Sequence, residues 1–293
     1  MMENVSTHFQ SFVDWMTLRN YAVSTKKSYI SRLRRFLLWR HEQGFVGAIK
    51  EEEVRQFLVF RSDSKLSWQS INSDHSALQM FFNQVLKRSW PIEQLPRPRK
   101  EKTLPTVLSQ EEVQRLINAG TMLKHQVFMA LLYGTGLRLS EALDLEMSHI
   151  DGKRQQLRVV KGKGKKDRYV NLPEALLLLL RDYYRRCKPV KYLFNGSYRG
   201  SRWANRSAQV AVEQAAIHAK IIRPVSPHVL RHCYATHHLE RGTSLIYLRD
   251  QMGHRNIKTT ARYIHLCADY QKLVRHPVAE LDLRLVPPIP TLP

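Results

Sequence analysis

Pro91, Pro96, Pro98 and Pro105 crowd one short stretch of this chain, set among Arg97, Arg99, Lys100 and Lys102. Proline has no amide hydrogen for a helix or an inner strand and fixes φ at about −65°, so such a stretch is an extended connector. One continuous core cannot run through it, and 293 residues suffice for two bodies that each bury their own. The chain therefore reads as a helical domain over residues 1–90, a proline-rich basic linker over 91–106, a second domain over 107–275 and a C-terminal tail over 276–293. The basic linker suits tracking a phosphate backbone and serves equally as a solvated spacer. In the tail, Val286-Pro287-Pro288-Ile289-Pro290 rules out a helix.

Before the linker the pattern is helical, with no convincing strand. From Ser24 to about Gln43, Tyr29, Leu33, Phe36, Leu37 and Arg40 recur at helical spacing, with Lys26, Lys27, Arg32, Arg34 and Arg35 largely on the other sides. Ser24 offers an N-cap and Gly44 a stop. Ile71, Leu78, Phe82 and Val85 mark a second helix over 67–87. Shorter helices over about 4–18 and 50–61 complete a four-helix bundle.

After the linker, Ser109-Gln110-Glu111-Glu112 is a capping box that launches a helix through Ala119. Helices follow over about 124–133, ending at Gly134-Thr135-Gly136, and over 138–146. Gln156 to Lys161 and Asp167 to Leu172 read as the strands of a hairpin whose tip, Gly162-Lys163-Gly164-Lys165, is flexible and strongly basic. Helices over 173–186, 204–220, 227–241, 244–252 and about 257–270 fill the rest, punctuated by Gly242 and Gly253. The fold class is mainly α with a small β-hairpin or sheet: a helical N-terminal domain followed by a mixed α/β domain.

Lys and Arg outnumber Asp and Glu by 47 to 25, a formal charge of +22 that falls on both halves of the chain rather than on a tail. Such an excess favours polyanionic partners; a merely soluble basic surface is the bland alternative. Cys187, Cys233 and Cys267 are scattered and form no CxxC pair, which fits a reducing cytosol better than a disulfide framework. Met1-Met2-Glu3-Asn4 opens no secretory signal, and the longest apolar run, Ala175 to Leu180, falls far short of the ~20 residues of a membrane span. The expectation is a soluble cytoplasmic protein with no membrane partner.

The residues that carry chemistry gather late in the chain. Pro227 suits a first helical turn with Ser226 as its cap, which puts His228 and Arg231 on one face near a positive helix end. An arginine fork grips two non-bridging phosphate oxygens at once and stays charged at any working pH. Arg138, behind the Gly136 turn, can do the same from another side. Most helical arginines are surface residues, so neither is persuasive alone. Glu141 shares a helical face with Arg138; the pair is either an exposed ion pair of little worth or a carboxylate that fixes an arginine or histidine in position.

Lys163, between two glycines, reads evenly as a general acid for a departing 5′-oxygen or as one more phosphate-contacting lysine. Tyr263 is one of 12 tyrosines, and most tyrosines are half-buried structural residues. Its place after Gly253-His254 is what singles it out. A phenol has a pKa of about 10 and needs neighbouring Arg and His groups to lower it or to take its proton. His228 and His232 have zinc-ligand spacing, but only Val229, Leu230 and Arg231 lie between them, and residues 221–239 hold no Asp or Glu. That argues against a zinc site and a metal-dependent nuclease. His232 reads instead as a packed, hydrogen-bonded residue.

Taken in order, Thr135-Gly136-Leu137-Arg138-Leu139-Ser140-Glu141, Gly162-Lys163-Gly164, His228-Val229-Leu230-Arg231-His232, Met252-Gly253-His254 and Tyr263 closely resemble the signature of the tyrosine recombinases, the phage integrase family. Each motif is modest alone; together and in order they are specific, and the resemblance covers about residues 1–275. Met252 stands where leucine is usual, a conservative change. The resemblance implies that Arg138 and Arg231, with His228 and His254, bind the scissile phosphate and stabilise the transition state. It makes Lys163 the general acid, Glu141 a support of the pocket, and Tyr263 the nucleophile that forms a 3′-phosphotyrosyl link.

By the same resemblance the partner is double-stranded DNA, no cofactor or metal is needed, and residues 1–90 form a core-binding module. A C-shaped clamp on DNA, a homo-tetramer in the synaptic complex and docking of residues 266–285 on a neighbouring protomer are further implications. With no arm-binding domain ahead of residue 1, the two-domain Xer-like members are the expected kin. A regulator that had lost its chemistry would not keep the full residue set. A type IB topoisomerase would share the chemistry without this compact two-domain layout and tail.

Overall fold

The computed structural model describes residues 2–64, 66–90, 97, 105–160, 167–198 and 200–267. Most of the linker, the hairpin tip with Lys163, and everything from residue 268 onward, including the tail over 276–293, lie outside the described residues. The chain divides into two units, Met1–Thr103 and Leu104–Pro293.

The first unit consists of α1 (Met2–Leu18), α2 (Val23–Glu42), α3 (Glu51–Asp63) and α4 (Trp68–Gln84). Phe12 and Met16 of α1, Leu33 and Phe36 of α2, Val54 and Phe57 of α3, and Leu78, Phe81 and Phe82 of α4 are fully buried in one core. Each such burial stabilises by ~1.5–3 kcal/mol. Phe36 meets Phe57 edge-on at 5.3 Å, and Phe12 meets Phe81 in the same way at 5.8 Å. Two buried acids tie the helices together. Arg40 Nε donates to Glu53 at 2.6 Å between α2 and α3, and Asp74 of α4 receives Arg32 at 2.6 Å and Arg61 at 3.0 Å. Ser24 is not the cap of α2: Ala22 is already extended and helical turning begins at Val23, so Ser24 falls inside the first turn.

In the second unit, α5 (Gln110–Asn118) starts at the Ser109–Glu112 capping box, both of whose hydrogen bonds are made. Next come α6 (Leu123–Thr135) and α7 (Leu139–Leu143), the latter shorter than the sequence pattern implies. Then follow β1 (Ile150–Asp151), β2 (Gln156–Val159), β3 (Arg168–Asn171), α8 (Glu174–Cys187), α9 (Asn205–His218), α10 (Pro227–Glu240), α11 (Leu245–Met252) and α12 (Ile257–Ala261). Val127, Phe128, Met129, Leu131 and Leu132 of α6 are fully buried on all sides, which makes α6 the central helix, packed between α8 and α10. The sheet is antiparallel in the order β1-β2-β3, with Leu157 opposite Val170 and Val159 opposite Arg168. β1 has two residues, too few to show alternation, and so escapes a pattern reading.

Two local features position the site. Ser226 holds the cap position of α10 and Pro227 the first helical one, although the Ser226 side chain makes no capping bond. The helix expected over 257–270 breaks: α12 ends at Ala261, and a 3₁₀ turn over Ile264–Leu266 follows. The break turns the Tyr263 ring inward, where it packs with Tyr234, Leu239, Leu248 and Met252 in a small separate core. Burial of an aromatic ring outweighs continuation of a short helix. Among the described residues, no helix is long and apolar enough to cross a membrane.

Candidate active site

α11 ends at Gly253 in the left-handed conformation, φ 63°, and the carbonyls of its last turn face three guanidinium groups. Arg168 Nε donates to Gln251 O at 3.0 Å, Arg231 Nη2 to Met252 O at 2.8 Å and Arg138 Nη2 to Gly253 O at 3.2 Å. Carbonyls at a helix C-terminus lack intrahelical partners and carry partial negative charge, so cations satisfy both needs. The three arginines arrive from β3, from α10 and from the residue that precedes α7. A Cβ on Gly253 would lie 2.9 Å from the Arg168 guanidinium, so glycine is required here for approach as well as for conformation.

Behind this row sits the buried Glu141 carboxylate. It receives Arg138 Nη1 at 2.8 Å and the Arg138 backbone amide at 2.9 Å, and it also receives Arg168 Nη1 and Nη2 at 2.9 and 2.7 Å. Burial works to raise its pKa, but the hydrogen bonds and charges of Arg168, followed by those of Arg138, hold it down at about 2. The exposed-pair reading of Glu141 does not hold; the carboxylate is buried and shared between two cations.

Arg231 is 1 % exposed. Its Nη1 donates to Gly136 O, and its Nη2 contacts Met252 O and, at 2.9 Å, His254 Nε2. Burial first, then Arg138, lower its pKa to about 10, which leaves it charged at neutral pH. A guanidinium can only donate, so His254 Nε2 accepts and His254 Nδ1–H points to Thr260 Oγ1 at 2.9 Å.

Tyr263 is 6 % exposed, and its hydroxyl lies 3.1 Å from His232 Nδ1. Its ring lies nearly parallel to that of His254, and His232 meets His228 edge-on at 4.5 Å. Burial raises the Tyr263 pKa above the ordinary phenol value even though Arg231 and Arg138 pull it down. Of the two kinds of help expected from its neighbours, a net lowering of the pKa is absent in this state, which leaves a group that takes the proton. Burial, Arg231 and Arg138 lower the pKa of His228; burial, His228 and Arg231 hold His232 at about 4. His232 is therefore neutral at neutral pH, while Arg231 keeps its charge.

These groups open into a cleft of about 370 Å³ lined by Arg138, His228, Arg231, His232, His254 and Tyr263, and also by Arg255 and Arg262. Among the described residues no carboxylate lines it, so it is shaped and charged for an anion. The site residues singled out by sequence thus meet in one place, with Glu141 behind them and Lys163 outside the described residues. Arg168 and Thr260 were not singled out. Arg168 opens the strand after the hairpin tip and Thr260 falls in a Thr-Thr pair, but no spacing ties either to its partner.

The sequence profile of the phage integrase family matches residues 106–269, and that of the phage integrase N-terminal SAM-like domain matches residues 9–92. This chain belongs to the phage integrase family. A protein of Sinorhizobium fredii described as an integrase/recombinase is 37% identical to this recombinase over 256 residues, covering 87% of this chain and 82% of that protein. The tyrosine recombinase XerD of Chlorobaculum tepidum is 31% identical over 290 residues, covering 90% and 93%. Among solved structures, the XerH site-specific recombinase bound to palindromic difH substrate in a post-cleavage complex shares the fold. Its TM-score is 0.70 at 23% identity, over 87% of this chain and 79% of that one. The architecture is the two-domain integrase one, and the kinship is with Xer-like tyrosine recombinases.

Proposed function

We propose that this recombinase cuts and rejoins double-stranded DNA at a specific site through a 3′-phosphotyrosyl intermediate, with Tyr263 as nucleophile. One observation carries the reading: the Tyr263 phenol opens into the same cleft as Arg138, Arg231, His228 and His254, and among the described residues no carboxylate lines it. A phosphodiester seated there gains donors that bind more strongly as negative charge builds on its non-bridging oxygens.

Arg138 and Arg231 grip those oxygens. His228 faces them, and His254 holds the Arg231 guanidinium in place. Glu141 fixes Arg138, and Lys163 gives its proton to the leaving 5′-oxygen. The Tyr263 Oη–P bond forms as the P–O5′ bond breaks, so the phosphodiester energy is retained in the protein–DNA link. A 5′-hydroxyl from a partner strand then reverses the step without a nucleotide or metal cofactor. The net charge of +22 suits a duplex partner. The helical unit serves as the core-binding module, the basic linker joins it to the catalytic unit, and a homo-tetramer forms the synaptic complex in the cytoplasm.

A suicide substrate tests the reading. Wild-type protein accumulates a covalent adduct with or without EDTA, and Tyr263→Phe binds the same DNA yet forms no adduct. An adduct with Tyr263→Phe overturns the assignment.

A further inference from the structure

We infer that His232 is a further catalytic residue: its Nδ1 takes the proton from the Tyr263 hydroxyl as the phenol oxygen attacks phosphorus. The inference rests on the proposed role of Tyr263 and adds a proton acceptor to it.

The geometry is direct. His232 Nδ1 lies 3.1 Å from Tyr263 Oη, inside hydrogen-bond reach, and the two rings are inclined at 51° with centroids 5.5 Å apart. His232 sits mid-helix on α10 beside the buried Arg231 and edge-on to His228, so its ring is held by packing. His228 also lines the cleft, but it meets the His232 ring edge-on and no hydrogen bond joins it to the phenol; the remaining bases near the cleft are committed. His254 uses Nε2 on Arg231 and Nδ1 on Thr260, and the Glu141 oxygens serve two arginines. In the Nε2–H tautomer, neutral His232 presents the Nδ1 lone pair to the phenol.

In the resting protein this contact is a latch. The imidazole is held at about 4 and the buried phenol above its ordinary value, so the proton stays on oxygen. The groups that depress His232 are burial, His228 and Arg231, with Tyr263 as the remaining polar neighbour in contact. A phosphate gripped by Arg231 offsets one of those charges, and the growing negative charge of the five-coordinate state favours an imidazolium beside it. Substrate therefore strengthens the acceptor at the moment it is needed. The hydroxyl proton passes to His232 Nδ1, the Oη–P bond forms, the P–O5′ bond breaks, and the 5′-oxygen leaves with the proton of the general acid. Religation returns the His232 proton to Oη.

The test measures suicide-substrate cleavage by the full chain as His232→Asn and as His232→Ala, with duplex affinity and thermal melting as checks on folding. Asn places an oxygen near the position of Nδ1 but cannot hold the proton. Both variants are expected to bind DNA like wild type and to cleave about 10²-fold or more slowly at neutral pH. The deficit should shrink as pH rises, because a phenolate needs no acceptor. Added imidazole should restore part of the rate in His232→Ala. A substrate with 5′-bridging sulfur should not rescue either variant, since the defect lies with the nucleophile. Cleavage by His232→Asn within twofold of wild type, or a deficit in folded protein that is the same at every pH, overturns the inference. Failure of the parent reading is separate: it appears as adduct formation by Tyr263→Phe.

Discussion

Glu141 meets Arg168 through both carboxylate oxygens, at 2.9 and 2.7 Å, while its Oε1 also receives Arg138 at 2.8 Å. One buried carboxylate therefore joins the arginine that lines the cleft to one that does not. Arg168 also binds Gln251 O, so it fixes α11 and Glu141 together. Arg168→Ala should leave Glu141 with half its partners and slow cleavage on the order of 10²-fold through misplacement of Arg138. Stability should fall by roughly 1–3 kcal/mol, because hydrogen bonds to a buried charge are lost while Arg138 still pairs the carboxylate. Urea unfolding and single-turnover cleavage measure the two effects; an unchanged cleavage rate would mean that Arg138 needs no such anchor.

The same carboxylate makes a pH prediction. Glu141 is held at about 2 against an ordinary 4.5, a depressed value, so its contribution is complete above pH 4.5 and fades as pH falls toward 2. The full contribution is on the order of 3 kcal/mol. Acid unfolding of the wild type should steepen through that window. Glu141→Gln should be less stable at neutral pH and lose this part of the slope, as followed by near-ultraviolet circular dichroism. Parallel acid curves would show that the carboxylate is not the group responsible.

Much of this architecture is legible in the sequence, for specific physical reasons. The stripes of α2 and α4 bury Leu33, Phe36, Leu78 and Phe82 where helical spacing places them. Arg138, His254 and Tyr263 stand out because they follow glycine turns, and His228 and Arg231 because they follow the Ser226-Pro227 helix start; the structure adds that Gly136 and Gly253 both sit at positive φ and both present carbonyls to arginines. What stayed hidden depends on long-range pairing. Arg168 of β3 finds Glu141 of α7 from 27 residues away in the chain, and His232 finds Tyr263 only because α12 stops at Ala261, where no glycine or proline announces a break. The net effect of burial on Tyr263 was equally invisible, since it depends on how the ring packs against Tyr234, Leu239, Leu248 and Met252.

Gly136 bears two demands at once. Its φ is 61°, and a Cβ there would come within 2.4 Å of the Tyr234 ring, a side chain buried in the small core that holds Tyr263. Gly136→Ala must strain the backbone by ~1–2 kcal/mol and in addition displace a packed ring. A loss above ~2 kcal/mol in urea unfolding is expected. Cleavage should fall with it, because Gly136 O anchors Arg231. A variant as stable as wild type would require the Tyr234 ring to move without cost.

Lys163 is the remaining assignment, and leaving-group chemistry separates its two readings. A general acid is needed only because a 5′-alkoxide leaves poorly, whereas a lysine that merely contacts phosphate acts on binding. Lys163→Ala should therefore slow cleavage of a normal suicide substrate by about 10²–10⁴-fold with little change in duplex affinity. Replacing the 5′-bridging oxygen with sulfur supplies a leaving group that departs without a proton, and the variant should then cleave at close to the wild-type rate. If affinity falls and the sulfur substrate stays slow, the lysine is one more contact to the DNA backbone.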